Sequence, residues 1–180
     1  MRLVLMVEEP SMKELLNILL PKILPDNIGW LVIPHNGKGD LRASITKKLQ
    51  GWLIADDKFV IVHDQDSNDC LQLKNELLLL CQNCRNDFLV RIVCVELESW
   101  FFGDLKAVSL AYGKDYTQLT AKRKFRDPDK LKNVKEEFHR LVHVHQPISG
   151  AKMIGLHMSI GNNKSHSFNT FVSGVKRICD

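Results

Sequence analysis

Short apolar runs alternate with longer amphipathic stretches through the first half of the chain, and the alternation predicts strand followed by helix, repeated. Residues 2–8 are apolar and end at Glu8-Glu9-Pro10, which reads as a first strand. Ser11 is expected to open a helix, with Glu14 completing a capping box. Leu15, Leu16, Ile18, Leu19 and Leu20 give that helix a broad apolar face, and Pro21 and Pro25 are expected to close it. Trp30 to Ile33, between Gly29 and Pro34, predict a second strand. The glycine-rich turn His35-Asn36-Gly37-Lys38-Gly39-Asp40 then leads into a helix over 41–49.

The third strand is the most telling. Phe59-Val60-Ile61-Val62 is a continuous β-branched run that ends abruptly in His63-Asp64-Gln65-Asp66, as a central strand covered on both faces does. A leucine-rich helix follows over 71–81. A fourth strand spans 88–95 and ends in Glu96-Leu97-Glu98-Ser99-Trp100, with Trp100 marking the start of another helix. This order predicts an α/β fold of Rossmann type, a mostly parallel sheet of four strands with right-handed crossovers. Glu8, His35, Asp64–Asp66 and Glu96–Glu98 then share the carboxyl edge, where such sheets place their ligands.

After Phe101 the periodicity weakens. A short helix is expected over 107–112, a basic loop at Lys122-Arg123-Lys124-Phe125-Arg126, and one helix from Pro128 to Val144. Gly155 counts against a regular helix over 153–160. Gly161 to Ser167 read as a polar loop before a last helix over 168–178. The chain is expected to be one domain, with a core over about 1–105 and a helical elaboration over about 106–180.

Composition narrows the class without choosing a function. Of 180 residues 44% are hydrophobic and 26% charged, an ordinary globular balance that argues against disorder. A net charge of +4 permits a polyanionic partner without demanding one. The apolar start stops at two glutamates with no small-residue cleavage site, and no window offers the roughly 18 apolar residues of a membrane span. Five cysteines without a secretory route imply reduced thiols and a cytoplasmic protein.

The candidate chemistry lies at the strand ends. Asp64 and Asp66 are two apart, so on extended backbone they point to one side, and converging carboxylates suit a hard cation such as Mg²⁺ or Mn²⁺. Asp, Asn and Ser after a strand are also ordinary turn and cap residues, and Asp69 or Ser67 answers to capping the next helix. Lys38 and Lys152 are candidate phosphate contacts or plain surface lysines. Ser165 and Ser167 answer to phosphate contact or to capping the last helix. Lys122, Arg123, Lys124 and Arg126 around Phe125, with Lys130, Lys132 and Lys135 nearby, form the best nucleic-acid patch. Cys81-Gln82-Asn83-Cys84 lacks two further zinc ligands close in sequence, and His139 and His143 lack the carboxylate of a zinc protease, so incidental thiols and surface histidines are expected.

Glu8 after the first strand with Asp64-x-Asp66 after the third resembles the arrangement in TOPRIM domains of topoisomerases, primases and overcoming-lysogenization-defect nucleases. A closer resemblance, over nearly the whole chain, is to a TOPRIM-like family of unknown function, number 4276. It is carried by Val7-Glu8-Glu9-Pro10-Ser11, Gly37-Lys38-Gly39-Asp40-Leu41, Asp64-Gln65-Asp66, Glu96-Leu97-Glu98-Ser99-Trp100-Phe101 and Ser165-His166-Ser167-Phe168. One position departs: Glu9 stands where the family usually has glycine, which leaves open whether Glu8 or Glu9 faces the site, though Glu8 holds the matching position. The resemblance implies a Mg²⁺-dependent nuclease in which Asp64 and Asp66 hold metal, Glu8 holds metal or manages a proton, and Glu98 is a further ligand. It also implies an antiphage effector partnered by an ATPase. The alternatives are a catalytically silent TOPRIM-like binding module and a metal-dependent phosphatase or phosphotransferase.

Overall fold

Four apolar segments pair side by side because their backbone groups have no water to turn to once both faces are covered. They are β1 (Arg2–Val7), β2 (Gly29–Pro34), β3 (Asp57–Asp64) and β4 (Phe88–Val93), in a computed structural model that describes residues 1–82 and 84–180. All pairings are parallel and the order is β2-β1-β3-β4. Val7 lies level with Pro34 on one side and Val62 on the other.

Side chains alternate between the two faces. Leu3, Leu5, Val7, Val60 and Val62 meet the layer containing α1 (Pro10–Ile23). Val4, Met6, Phe59 and Ile61 meet Leu41, Ile45, Leu73 and Leu77 of α2 (Lys38–Gly51) and α3 (Cys70–Leu80). The chain leaves β1 toward β2, then doubles back over β1 to reach β3. Two right-handed crossovers in opposite directions put α1 and α2 on opposite faces. That reversal opens a crevice outside the carboxyl ends of β1 and β3, the switch point at which open α/β sheets bind ligands.

The later helices thicken the α1 layer: α4 (Glu98–Gly103), α5 (Leu105–Tyr112), α6 (Val134–Leu141), α7 (Pro147–His157) and α8 (His166–Cys179). Trp100, Phe101, Phe102, Phe138, Phe168 and Phe171 are buried there, with Trp100 edge-on to Phe168 at 5.2 Å between centroids.

Five local expectations are corrected. Glu9, not Ser11, precedes the first turn of α1 and no side chain caps it, because Pro10 supplies the first helical residue. Pro21 lies inside α1, which runs on to Ile23, since Leu24 N–H still reaches the Leu20 carbonyl at 2.8 Å. β4 stops at Val93, two residues early, and Val95 turns at φ 60°. The stretch 128–144 is a tight turn at Pro128–Lys130 and then α6, separated by Asn133 at φ 50°. Gly155 is helical after all: a Cβ there would sit 2.9 Å from Leu15 Cδ1, so glycine is what lets α7 close on α1.

Asp129 ties this helical half together. Its carboxylate accepts from the Ser165 hydroxyl at 2.6 Å and the Ser167 N–H at 2.7 Å. The Trp100 indole donates to Ser167 Oγ at 3.0 Å. Ser165 Oγ in turn caps α8 by accepting from Phe168 N–H at 3.1 Å. Asp129→Ala strands these buried donors and is expected to cost about 2–3 kcal/mol. Urea unfolding measures it, and a midpoint equal to wild type would show that the junction does not depend on Asp129.

Candidate functional site

β1 ends at Val7, and Glu8 and Glu9 follow at the switch point. The chain is pinned there by β2's continuation: His35 N–H donates to the Val7 carbonyl and Gly37 N–H to the Glu8 carbonyl, each at 3.0 Å. Gly37 sits at φ 88°, a conformation that favours glycine, and so turns the chain directly into α2. Across the crevice β3 ends at Asp64, whose N–H lies 3.4 Å from Glu8 Oε2. Alternation along β3 puts Asp64 on the side of Val60 and Val62, and His63 on the side of Phe59 and Ile61. His63 Nδ1 is 2.6 Å from the Asp64 carbonyl and 3.5 Å from Glu8 Oε2.

Glu8, Glu9, Ser11, Met12, Val62, Asp64 and Leu97 enclose a cavity of about 10 Å³, the space of a single water-sized sphere. Glu98, the first residue of α4, is only 7% exposed and belongs to the same acidic surround.

The electrostatics mark an excess of negative charge. Burial, then Glu8, Glu98, Glu9 and Asp66, push the Asp64 carboxyl well above its ordinary range. Burial pushes Glu98 up to about 7, against its own backbone N–H and Lys135, which favour the charged form. Glu8 is raised by burial, with His63 opposing and Asp66 and Glu9 adding. Glu96 is raised chiefly by burial, with Lys135 opposing. Lys135 on α6 is held charged: burial works against it, but Glu9, Glu98, Glu96 and Asp64 outweigh that. Carboxylates that raise one another's proton affinity lack a counter-cation.

The predicted residues divide. Glu8 and Asp64 line one cavity with Glu9, Glu98 lies close enough to act on Asp64 but lines a neighbouring pocket with Lys135, His139 and His145, and Asp66 turns its carboxylate away. Its backbone is left-handed at φ 51°, so the extended geometry that would align it with Asp64 ends one residue too soon. Its carboxylate instead meets Lys38 Nζ at 2.9 Å. Both line an open cleft of about 700 Å³ that reaches Glu96, Lys130 and Lys132. Among the described residues no three His, Cys, Asp or Glu side chains are already grouped to hold a metal ion. The polar side chains that line the small cavity, Glu8, Glu9, Asp64 and Ser11, nonetheless offer oxygen atoms alone, which suits Mg²⁺ or Mn²⁺ over softer ions.

Lys122, Arg123, Lys124 and Arg126 are exposed, and Lys124 pairs with Glu137 of α6. Phe125 stacks on Phe102 at 5.3 Å and so fixes this basic segment to α4. Ser165 and Ser167 are buried and committed to Asp129, which removes them from any phosphate. Lys152 is exposed on α7. His139 and His143 are exposed. Cys81 and Cys84 are free thiols, and Asn83 between them lies outside the described residues.

Sequence reasoning passed over His63, hidden as one more residue in an apolar strand, and Lys135, read only as part of a basic run. The signal for His63 was parity. Counting back two at a time from His63 reaches Ile61 and Phe59, which places it on the opposite face from Asp64.

No curated protein and no solved structure matches the chain significantly, and no helix among the described residues is long and apolar enough to cross a membrane. The sequence profile of Domain of unknown function (DUF4276) matches residues 7–176, a span that takes in Glu8, the whole sheet beyond the first strand and all the helices that cover it. The chain belongs to the DUF4276 family.

Proposed function

We propose that the chain is a Mg²⁺- or Mn²⁺-dependent phosphodiesterase of TOPRIM type that acts on DNA or RNA. One observation carries this reading: the carboxylates of Glu8, Glu9 and Asp64 line one small cavity at the switch point of a parallel sheet, and those of Glu8 and Asp64 are raised in proton affinity. Asp64 and Glu98 would hold the cation, with Glu8 as a further ligand or as the group that takes a proton. A divalent ion there neutralises charge on a phosphoryl oxygen and activates water. His63, level with Glu8 by register and 3.5 Å from its carboxylate, would help to position it, and Lys135 limits the acids' mutual repulsion before a cation arrives. Lys38, at the first position of α2, and the exposed basic segment 122–126 would meet backbone phosphates. Service as an antiphage effector beside an ATPase belongs to this reading through the family resemblance alone, and a cytoplasmic place through the five cysteines and the absence of a signal pattern.

A silent binding module has one observation in its favour, the absence of three grouped ligands among the described residues. Incubation with single- and double-stranded DNA and RNA, with Mg²⁺, Mn²⁺ or EDTA, separates the readings. The nuclease yields fragments only with metal. Turnover of p-nitrophenyl phosphate with polynucleotides left whole assigns a phosphatase. Intact nucleic acid under every condition, with retention that is lost when Lys122, Arg123 and Lys124 are neutralised, assigns the binding module and overturns the nuclease.

A further inference from the structure

We infer that the Lys38–Asp66 ion pair is a latch that keeps the third carboxylate out of the cation centre until an oxyanion of the substrate takes Lys38 away; this rests on the metal-dependent reading above. Asp66 is near enough to Glu8, Asp64 and Glu96 to raise the proton affinity of all three. Its carboxylate nevertheless points across the cleft to Lys38 Nζ at 2.9 Å. The backbone is set for that pairing by the left-handed turn at Asp66, held by its N–H on the Val95 carbonyl at 2.8 Å and by the Gln65 side chain on Val95 N–H at 3.2 Å.

The Lys38 end is equally suited to release. Lys38 opens α2, no side chain caps that helix, and Lys38 lines the open cleft, while Asp40 of the same turn is engaged by Asn36 N–H at 2.9 Å. Lys38 is 60% exposed against 25% for Asp66, so the pair is solvated on the lysine side. An ion pair of this kind is weak enough to be exchanged. A phosphate oxygen at the α2 N-terminus competes for the ammonium and leaves Asp66 an uncompensated carboxylate beside Glu8 and Asp64. Lys130 across the same cleft is paired with Asp127, and a divalent cation beside Asp64 outcompetes the single charge of Lys132 for the freed carboxylate. Substrate and metal thus bind with positive coupling, and the centre stays incomplete without substrate.

Mn²⁺ affinity of the intact, substrate-free protein, measured by electron paramagnetic resonance titration, tests the latch without any turnover. Lys38→Met is expected to bind Mn²⁺ about five- to tenfold tighter than wild type. In an Asp66→Asn background the same change is expected to have no effect, because the gain acts through the freed carboxylate. A gain that persists in Asp66→Asn is simple removal of a positive charge and overturns the latch, as does equal affinity of Lys38→Met and wild type. Sulfate, a phosphate surrogate, should tighten Mn²⁺ binding to wild type relative to chloride at matched ionic strength, and leave Lys38→Met unchanged. No difference between sulfate and chloride overturns release by an oxyanion. If wild type and Lys38→Met both fail to bind Mn²⁺, the metal centre itself is overturned. Binding that is lost in Asp64→Asn but indifferent to Lys38 overturns the latch alone.

Discussion

Asp64→Asn is expected to abolish metal-dependent cleavage and, at the same time, to raise the melting temperature. The two effects have one cause. Asp64 closes β3 among Glu8, Glu9 and Glu98, and its carboxyl is held well above its ordinary range by burial and by those neighbours. The ionised form is therefore disfavoured in the folded chain and favoured in the unfolded chain. Asparagine keeps the shape and removes the charge, which relieves the repulsion by about 1–2 kcal/mol at neutral pH. The gain should fade as pH falls below the ordinary aspartate value of 3.8, where the carboxyl is protonated whether folded or not. Removing a first cation ligand should cost about 10²–10³ in rate or more. Differential scanning fluorimetry across pH, beside a cleavage assay, checks both. A loss of stability in Asp64→Asn would mark Asp64 as a structural cap and remove the main support for a cation site.

The second large effect is a pH-dependent difference at Glu98. Its carboxyl, at about 7 in the folded protein against 4.5 ordinarily, keeps its proton longer in the native state than in the unfolded one. The native state then binds more protons between those values, so stability falls as pH rises through that window, by about 3 kcal/mol in total. His145 works in the opposite sense. Burial lowers it to about 4, so it resists protonation that the unfolded chain accepts, and stability there falls as pH drops below its ordinary value. The two trends overlap, and a wild-type curve alone does not separate them. The difference between Glu98→Gln and wild type does. It should be near zero at pH 4.5 and reach its full value, with the variant more stable, above pH 7. Saturating Mn²⁺ should shrink this difference by stabilising wild type more than the variant. A pH-independent difference would mean that Glu98 is charged and satisfied in the native state.

The sheet was readable because its signals are local. The middle of β3, Phe59 to Val62, is apolar and covered on both faces; helices between successive strands imply parallel pairing, and all four strands form, β4 ending two residues early. The acids at the strand ends were readable for the same reason: parallel crossovers of one hand leave a single carboxyl edge. Predictions failed where a contact distant in sequence outweighed a local preference. Gly155 reads as a helix breaker until Leu15 of α1 is seen pressed into the space a Cβ would fill. For Ser165 and Ser167 the sequence left phosphate contact and helix capping both open; Ser165 does cap α8, and what only the distant contact showed is that Asp129 holds both serines.

The amino-acid order by itself determined the parallel α/β architecture, the shared edge and the identity of the acids on it, because periodicity and handedness act residue by residue. Tertiary structure alone decided which acids meet. Two residues beyond the end of β3 the chain turns left-handed, so Asp66 meets Lys38, while α4 brings Glu98 near enough to act on Asp64. Strand alternation governs side-chain direction only as long as the ladder lasts, and past its last bond the partners across the crevice set it instead.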